Sequence, residues 1–319
     1  MRVLIVGYSK IVQNRVLAAF LKIPDIKSID IVSQSSLKAM STGKKYFRNI
    51  YNSYEHAIKA SKADLVYISI VNNLHAVWTE KALKAGYHVI VDKPAFTSFE
   101  DATRLVDLSQ KLNLCLAEAC VYCNHPQIEF ISNEILSLKT RPTCLMVNFS
   151  FPPFKSDNFR YKKELGGGAL WDLGAYAVTP GRIFFNEEPV EIFCRIGSRH
   201  STTNVDTSFS TLAYYPEGKS MLGHFGFTTE YRNRLSLLGP DIAIDVERIF
   251  TTPIDMENDI IIIQNNTKTI KKAPAGDSFF NFIQEVLACI ADKKFGQFWR
   301  NLLADAKCLH KMRTSAGEE

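Results

Sequence analysis

The chain has 319 residues, 46% of them hydrophobic and 22% charged, with a formal net charge of +5 at pH 7. That length accommodates two domains, and the composition is that of a globular protein rather than a disordered or fibrous one. The positive excess is spread along the chain without a Lys/Arg run, so a nucleic-acid polymer is not an expected partner, and no apolar stretch reaches the ~20 residues of a membrane span.

The opening segment, Met1 to Gly7, is too short for a signal-peptide core. Seven scattered cysteines, an odd number, suit reduced thiols and a cytoplasmic location. Cys120 and Cys123 form a CxxC near His125. No second CxxC completes a zinc site, so no metal is expected and the pair reads as packing.

Residues 3–6 are a β-branched run ending at Gly7 and predict a buried strand. Apolar residues at Ile11, Val12, Val16, Leu17, Phe20 and Leu21 predict a helix that Pro24-Asp25 ends, and residues 29–32 a second strand. Strand, glycine turn, helix and strand make a βαβ unit. The turn Gly7-Tyr8-Ser9-Lys10-Ile11 is the expected seat of a dinucleotide diphosphate, on helix-terminal amides. Of the GxGxxG pattern only the first glycine is present; Ser9 and Val12 replace the others. After the second strand come Ser33-Gln34-Ser35-Ser36 and Lys38, with no acid for the ribose hydroxyls of NAD. Small hydroxyls and a nearby cation favour NADP(H), with NAD(H) as the alternative.

The alternation continues, with helices over 54–60, 74–85 and 99–112 and strands over 64–71, 88–91 and 114–117. Repeated βα units predict a parallel sheet covered on both faces, with ligands beyond the carboxyl ends of its strands. Three sets of residues follow such ends: Val71, Asn72, Asn73 and His75; Asp92-Lys93-Pro94; and Glu118. They point at one crevice. Lys93 is held by a proline that restricts its backbone, and a Lys–Pro bond admits the cis form.

Beyond residue 120 the pattern changes to runs of strands, over 143–150, 190–196, 207–214, 220–227, 235–238, 242–246 and 260–264, and two helices close the chain near 278–291 and 298–311. This predicts a separate α+β domain over 121–319 after a dinucleotide-binding domain over 1–120. The loop over 154–168 carries Lys155, Arg160, Lys162 and Lys163, which would meet a diphosphate or simply be solvated. Gly166-Gly167-Gly168 then breaks the chain before an apolar helix over 170–185. Asp172 and Tyr176 lie four residues apart and share one helical face, with Trp171 beside them. His224, Tyr231 and Arg232 line the cleft from the sheet side or form a polar sheet face.

Gly86 to Pro94 resembles the "aGkHVlvEKP" segment of the Gfo/Idh/MocA oxidoreductases. Asn73-Leu74-His75 resembles the family's "PNxxH", Glu118 and His125-Pro126-Gln127 its "E…HPQ", and residues 166–176 its "GGGxLxDxGxH", with Tyr176 in place of the commoner His. A narrower resemblance, to the nucleotide-linked sugar (NDP-hexose) 3-ketoreductases, rests on Phe159-Arg160-Tyr161, on Glu164 to Leu170 and Tyr176, on Phe225-Gly226-Phe227 with Tyr231-Arg232-Asn233, and on Glu247 to Pro253. Asp92 departs from the family's Glu, and Gln34 from the Arg frequent in NADPH users.

The resemblance implies an N-terminal Rossmann domain, a doubly wound parallel sheet, and a C-terminal domain with an open, mainly antiparallel sheet and helices on one face. That sheet would join the chain to its mates as a homodimer or homotetramer. The implied reaction is NADPH-dependent reduction of the C3 keto group of a nucleotide-linked deoxysugar. The cofactor would lie on the turn at Gly7 and on Val71, Asn73, His75, Lys93 and Glu118. The substrate would meet Lys93, His125, Arg160, Trp171, Asp172, Tyr176 and Tyr231. Lys93 and Tyr176, with reference pKa values of ~10.4 and ~10, are protonated at neutral pH and suit an acid in the reducing direction. Asp172 would orient the substrate or Lys93. Two further readings stand beside this one: an NADP-dependent dehydrogenase of a free sugar, small polyol or dihydrodiol, and a non-catalytic dinucleotide-binding regulator.

Overall fold

A computed structural model of the chain describes residues 1–34 and 44–318; the expected cofactor residues Ser35 and Lys38 lie outside these. The chain divides into two compact units, Met1–Cys120 with Phe279–Ala306, and Val121–Ser278 with Lys307–Glu319. The division is discontinuous, where the sequence suggests one cut near residue 120. Residues 279–306 span two helices, and the apolar side of the second is taken up by the first unit's core through Leu302, Trp299 and Leu303.

The first unit is a six-stranded parallel sheet in the order β3-β2-β1-β4-β5-β6. Its strands are β1 (Arg2–Val6), β2 (Ser28–Val32), β3 (Asn49–Tyr51), β4 (Leu65–Ile68), β5 (His88–Asp92) and β6 (Leu116–Ala119). β1 and β4 are buried almost end to end, as continuous Val/Ile/Leu runs covered on both faces require. The crossovers are a π-helical stretch over Val12–Val16 running into α1 (Leu17–Leu21), then α2 (Tyr54–Ala60), α3 (His75–Lys84) and α4 (Phe99–Lys111). Ser53 and Ser98 cap α2 and α4 through their side chains. The short β3 escapes a periodicity reading because three residues carry no alternation to detect. β4 stops at Ile68, earlier than the apolar run suggests.

The second unit opens with α5 (Pro126–Ser137), which sequence periodicity did not single out. Its sheet has eight strands in the order β14-β13-β12-β11-β7-β10-β9-β8. These are β7 (Cys144–Ser150), β8 (Glu191–Arg199), β9 (Asp206–Tyr214), β10 (Ser220–Gly226), β11 (Arg232–Gly239), β12 (Ile242–Glu247), β13 (Asn258–Gln264) and β14 (Thr267–Ala273). All neighbours pair antiparallel except β7 with β10. α6 (Ala169–Phe185) packs on β7, β9 and β10. Leu145, Val147 and Phe149 of β7 are buried, while Met146 and Asn148 are exposed. α7 (Ser278–Asp292) and α8 (Gly296–Ala316) complete the chain. Among the described residues no helix is long and apolar enough to cross a membrane.

Candidate active site

The turn after β1 is tight. Gly7 has φ +102°, and a Cβ there would lie 2.0 Å from the Ser69 carbonyl oxygen, so only glycine fits against β4. Its amide donates to Val32 O at 2.8 Å, tying the turn to β2. The helix that follows leaves its first amides without intrahelical acceptors, the arrangement that holds a diphosphate. The residues present therefore fit a dinucleotide. Tyr8 is partly buried, edge-on to Phe47 at 6.1 Å, while Lys10 and Ile11 are exposed. Ser9 accepts from the Val12 amide at 3.2 Å and lies 2.7 Å from the Ser69 hydroxyl. Ser33 is buried and Gln34 exposed at the end of β2. The nearby Arg48 is spent on Asp30, through two hydrogen bonds at 3.0 and 2.6 Å.

The loop carrying Lys93 is braced from three sides. Asp92 accepts from Tyr67 at 2.6 Å and from Ser69. Glu118, at the end of β6, accepts from the Ala95 amide at 2.8 Å. His75, at the start of α3, places Nδ1 2.9 Å from Pro94 O and Nε2 3.1 Å from Ile70 O. It thus links the loop after β4 to the loop after β5. The Lys93–Pro94 peptide is cis. Burial pushes the Asp92 carboxyl above its ordinary value; the bonds from Ser69 and Tyr67 and the charges of His75 and Lys93 pull it back. Burial pulls the His75 imidazole down, against the Asp92 charge. Val71 is extended and starts a short turn over Asn72–Leu74, in which Asn73 is exposed.

In the second unit, α6 begins at Gly168, with φ +125°. A Cβ at Gly168 would lie 2.3 Å from Asp206 Oδ1, and Asp206 Oδ2 accepts from the Leu170 amide at 2.6 Å. A carboxylate from β9 thus caps the helix where its own cap residue has no side chain. One turn on, Asp172 is clamped by Arg160, with Nε to Oδ2 at 2.7 Å and Nη2 to Oδ1 at 3.2 Å. Burial works against the Arg160 charge, but Asp172 outweighs it and the guanidinium titrates above its ordinary value. Arg160 also stacks over Phe154 and Phe159, at 4.9 and 4.8 Å. Tyr176 lies against three rings: Phe149 and Phe250 at 4.9 Å and Tyr122 at 5.7 Å. The face shared by Asp172 and Tyr176 is therefore an ion pair followed by an aromatic seat.

Other predicted residues serve the fold visibly. His125 is buried and caps α5, its Nδ1 accepting from the Gln127 amide at 3.2 Å. Gln127 donates to Ile249 O and Thr252 Oγ1 at 2.9 and 2.8 Å and accepts from Asn258 at 2.7 Å. Trp171 lies under the Arg313 guanidinium at 4.4 Å. Tyr231 is exposed, with its hydroxyl 3.0 Å from Thr251 Oγ1. Sequence reasoning passed over Tyr67, Ser69 and Asp206, whose partners lie 25, 23 and 36 positions away. No local pattern marks such pairs. Among the described residues no cluster of three or more His, Cys, Asp or Glu is arranged to hold a metal ion.

Two curated relatives named dTDP-3,4-didehydro-2,6-dideoxy-alpha-D-glucose 3-reductase are similar over most of their length. The one from Saccharopolyspora spinosa is 28% identical over 86% of this chain and 83% of its own. The one from Streptomyces violaceoruber is 29% identical over 79% and 74%. Among solved structures, KijD10, a 3-ketoreductase from Actinomadura kijaniata in complex with NADP and TDP-benzene, superposes with a TM-score of 0.92 at 24% identity, over 99% of this chain and 98% of that one. The oxidoreductase family model with an NAD-binding Rossmann fold matches residues 1–119, and the GFO/IDH/MocA C-terminal domain model matches residues 141–244. With both of its characteristic domains present in order, the chain belongs to the Gfo/Idh/MocA family of oxidoreductases.

Proposed function

We propose that this chain uses NADP(H) to reduce the C3 keto group of a deoxysugar carried on a nucleoside diphosphate. The observation that carries the reading is the braced loop at the end of β5, which presents a lysine beside a strand-end dinucleotide turn. The names of the two curated relatives and the NADP held by the structural neighbour support it. The bound cofactor supplies the hydride. The chain's own residues must orient the keto group and protonate the emerging alkoxide. Tyr176 is the proposed general acid, seated among rings that leave its hydroxyl the only polar part. Lys93 is the proposed hydrogen-bond donor to the same oxygen, stabilising the charge that develops there. Arg160, by engaging Asp172, sets the first turn of the helix that carries Tyr176.

The reading extends to assembly. Phe193, Leu212, Leu222 and Met146 follow one another across β8, β9, β10 and β7, and Ile261 and Ile270 do so across β13 and β14. Met146, Phe193 and Ile270 are 49%, 47% and 58% exposed. Ser236 and Asp245 separate the two groups in the same row, and the larger apolar group on the open sheet suits a self-complementary homodimer.

The test is an assay of NADPH oxidation with a nucleotide-linked 3-keto sugar, set beside NADP reduction with free sugars and dihydrodiols. Turnover only with the latter would replace the reductase by a dehydrogenase. Dinucleotide binding without turnover of either would make the chain a regulator.

A further inference from the structure

Ser9 stands where the phosphate turn of a dinucleotide-binding unit usually has a glycine, and the structure accounts for its hydroxyl. Ser9 Oγ accepts from the Val12 amide at 3.2 Å and meets Ser69 Oγ at 2.7 Å. Ser69, buried just past β4, donates to Asp92 Oδ2, and the other Asp92 oxygen accepts from Tyr67 at 2.6 Å. With Asp92 ionised, the direction of every bond is fixed. Ser69 donates to the carboxylate, so its oxygen accepts from Ser9; Ser9 therefore donates inward. One file of hydrogen bonds runs from the first turn after β1 to the residue preceding Lys93. It crosses β4 at the point where Gly7 packs on the Ser69 carbonyl.

We propose that Ser69, with Ser9, is a positioning residue that ties the dinucleotide turn to the Asp92–Lys93 loop and so holds Lys93 in place. The inference rests on the proposed role of Lys93. The geometry explains the missing glycine: the Ser9 hydroxyl serves Ser69 rather than a phosphate, and the diphosphate is left to backbone amides. Burial pushes the Asp92 carboxyl upward, and the hydroxyls of Ser69 and Tyr67 oppose that push. The groups facing it are Tyr67 and Ser69 from β4 and its end, His75 from α3 and Lys93 from its own loop. A chain of aligned hydroxyls ending on an anion is mutually strengthening.

The test uses the full chain with NADPH and the keto-sugar substrate, in Ser9→Ala, Ser69→Ala and Lys93→Ala variants. NADPH affinity is read by fluorescence and kcat is followed across pH. In both serine variants NADPH affinity is expected within about twofold of wild type, while kcat falls roughly tenfold in Ser69→Ala, which loses a hydrogen bond to a charged group, and roughly fivefold in Ser9→Ala, which loses one to a hydroxyl. The acid limb of the kcat profile should move up by about one pH unit in Ser69→Ala, because Asp92 loses a donor, and by less in Ser9→Ala, where Ser69 keeps its bond to Asp92. A Ser9→Ala variant with weakened NADPH binding and wild-type kcat would overturn the proposal and make Ser9 a phosphate ligand. Unchanged kcat and pH profile in both serine variants, with Lys93→Ala inactive, would overturn the relay and leave the function standing. Wild-type turnover in Lys93→Ala would remove the function on which the relay depends. Should Ser69→Ala fail to fold, the partly exposed Ser9 position decides the matter alone.

Discussion

Tyr176 has two separable jobs. Its ring packs against Phe149, Phe250 and Tyr122, and its hydroxyl is the proposed acid. Tyr176→Phe keeps the ring and should unfold within about 2 °C of wild type, while turnover drops about 10²-fold or more, the range for removing a general acid. Wild-type turnover in that variant would dismiss Tyr176 from the chemistry. The pair behind it is structural in the first instance. Arg160→Ala removes the guanidinium that clamps the buried Asp172 carboxylate and should cost about 3 kcal/mol. Denaturant titration of the two single variants and the Arg160→Ala/Asp172→Asn double variant checks this; additive losses would show that the clamp contributes nothing as a pair. At Gly168, alanine would place a methyl group on the Asp206 carboxylate in a backbone conformation that suits only glycine. The sequence made the shared face of Asp172 and Tyr176 visible, because helical spacing is local. It could not show that Arg160, read as meeting a diphosphate or as solvated, pairs with Asp172, since that contact depends on how the 154–168 loop folds back.

At the scale of elements, the residues between strands turn out to bind elements together. Gln127 at the start of α5 is hydrogen-bonded to Ile249, Thr252 and Asn258, so it fastens that helix to the connection between β12 and β13. The HPQ segment was legible as a family mark but not as a clamp. Its partners lie more than 120 residues further on, and α5 itself shows little of the helical stripe that betrays α4. Strands β1, β4 and β5 were readable because doubly covered parallel strands leave an unbroken apolar run. His88 at the head of β5 offers a test by pH. Its Nδ1 accepts from the Cys115 amide at 2.9 Å, which requires the neutral ring, and burial lowers its pKa, against the charge of Asp64. The unfolded ring, with a pKa of about 6.5, binds the proton more readily. This contribution to stability is therefore full above about pH 6.5 and is lost as pH falls toward the lower folded value. Melting curves from pH 8 to pH 5 should show an acid-side loss that is shallower in His88→Asn, which keeps an acceptor without titrating. Identical slopes in the two proteins would exclude His88 as the cause.

For the whole molecule, the apolar band on the second sheet is the feature with the largest consequence for assembly. Met146→Glu sets a charge at its end, on a side chain already 49% exposed, so the fold should tolerate it. Light scattering after size exclusion should report a dimer for wild type and a monomer for the variant; a wild type that elutes as a monomer would end the assembly proposal. The same sheet carries a constraint on how the chain folds. β8, β9 and β10 pair in sequence, as do β11 to β14, and each group can form from neighbours. β7 is older in the chain than any of them, yet it lies between β10 and β11 and pairs with both. Neither meander can join the other until a strand from about 70 residues upstream has been threaded between them, and closing so long a loop is slow. Val147→Ala in β7 should therefore slow refolding, while Ile262→Ala in β13 should mainly hasten unfolding, as stopped-flow chevrons would resolve. On a ribosome the first meander emerges before the second, so β7 must wait with one edge unpaired, and that interval is when the nascent chain is most open to mispairing with another.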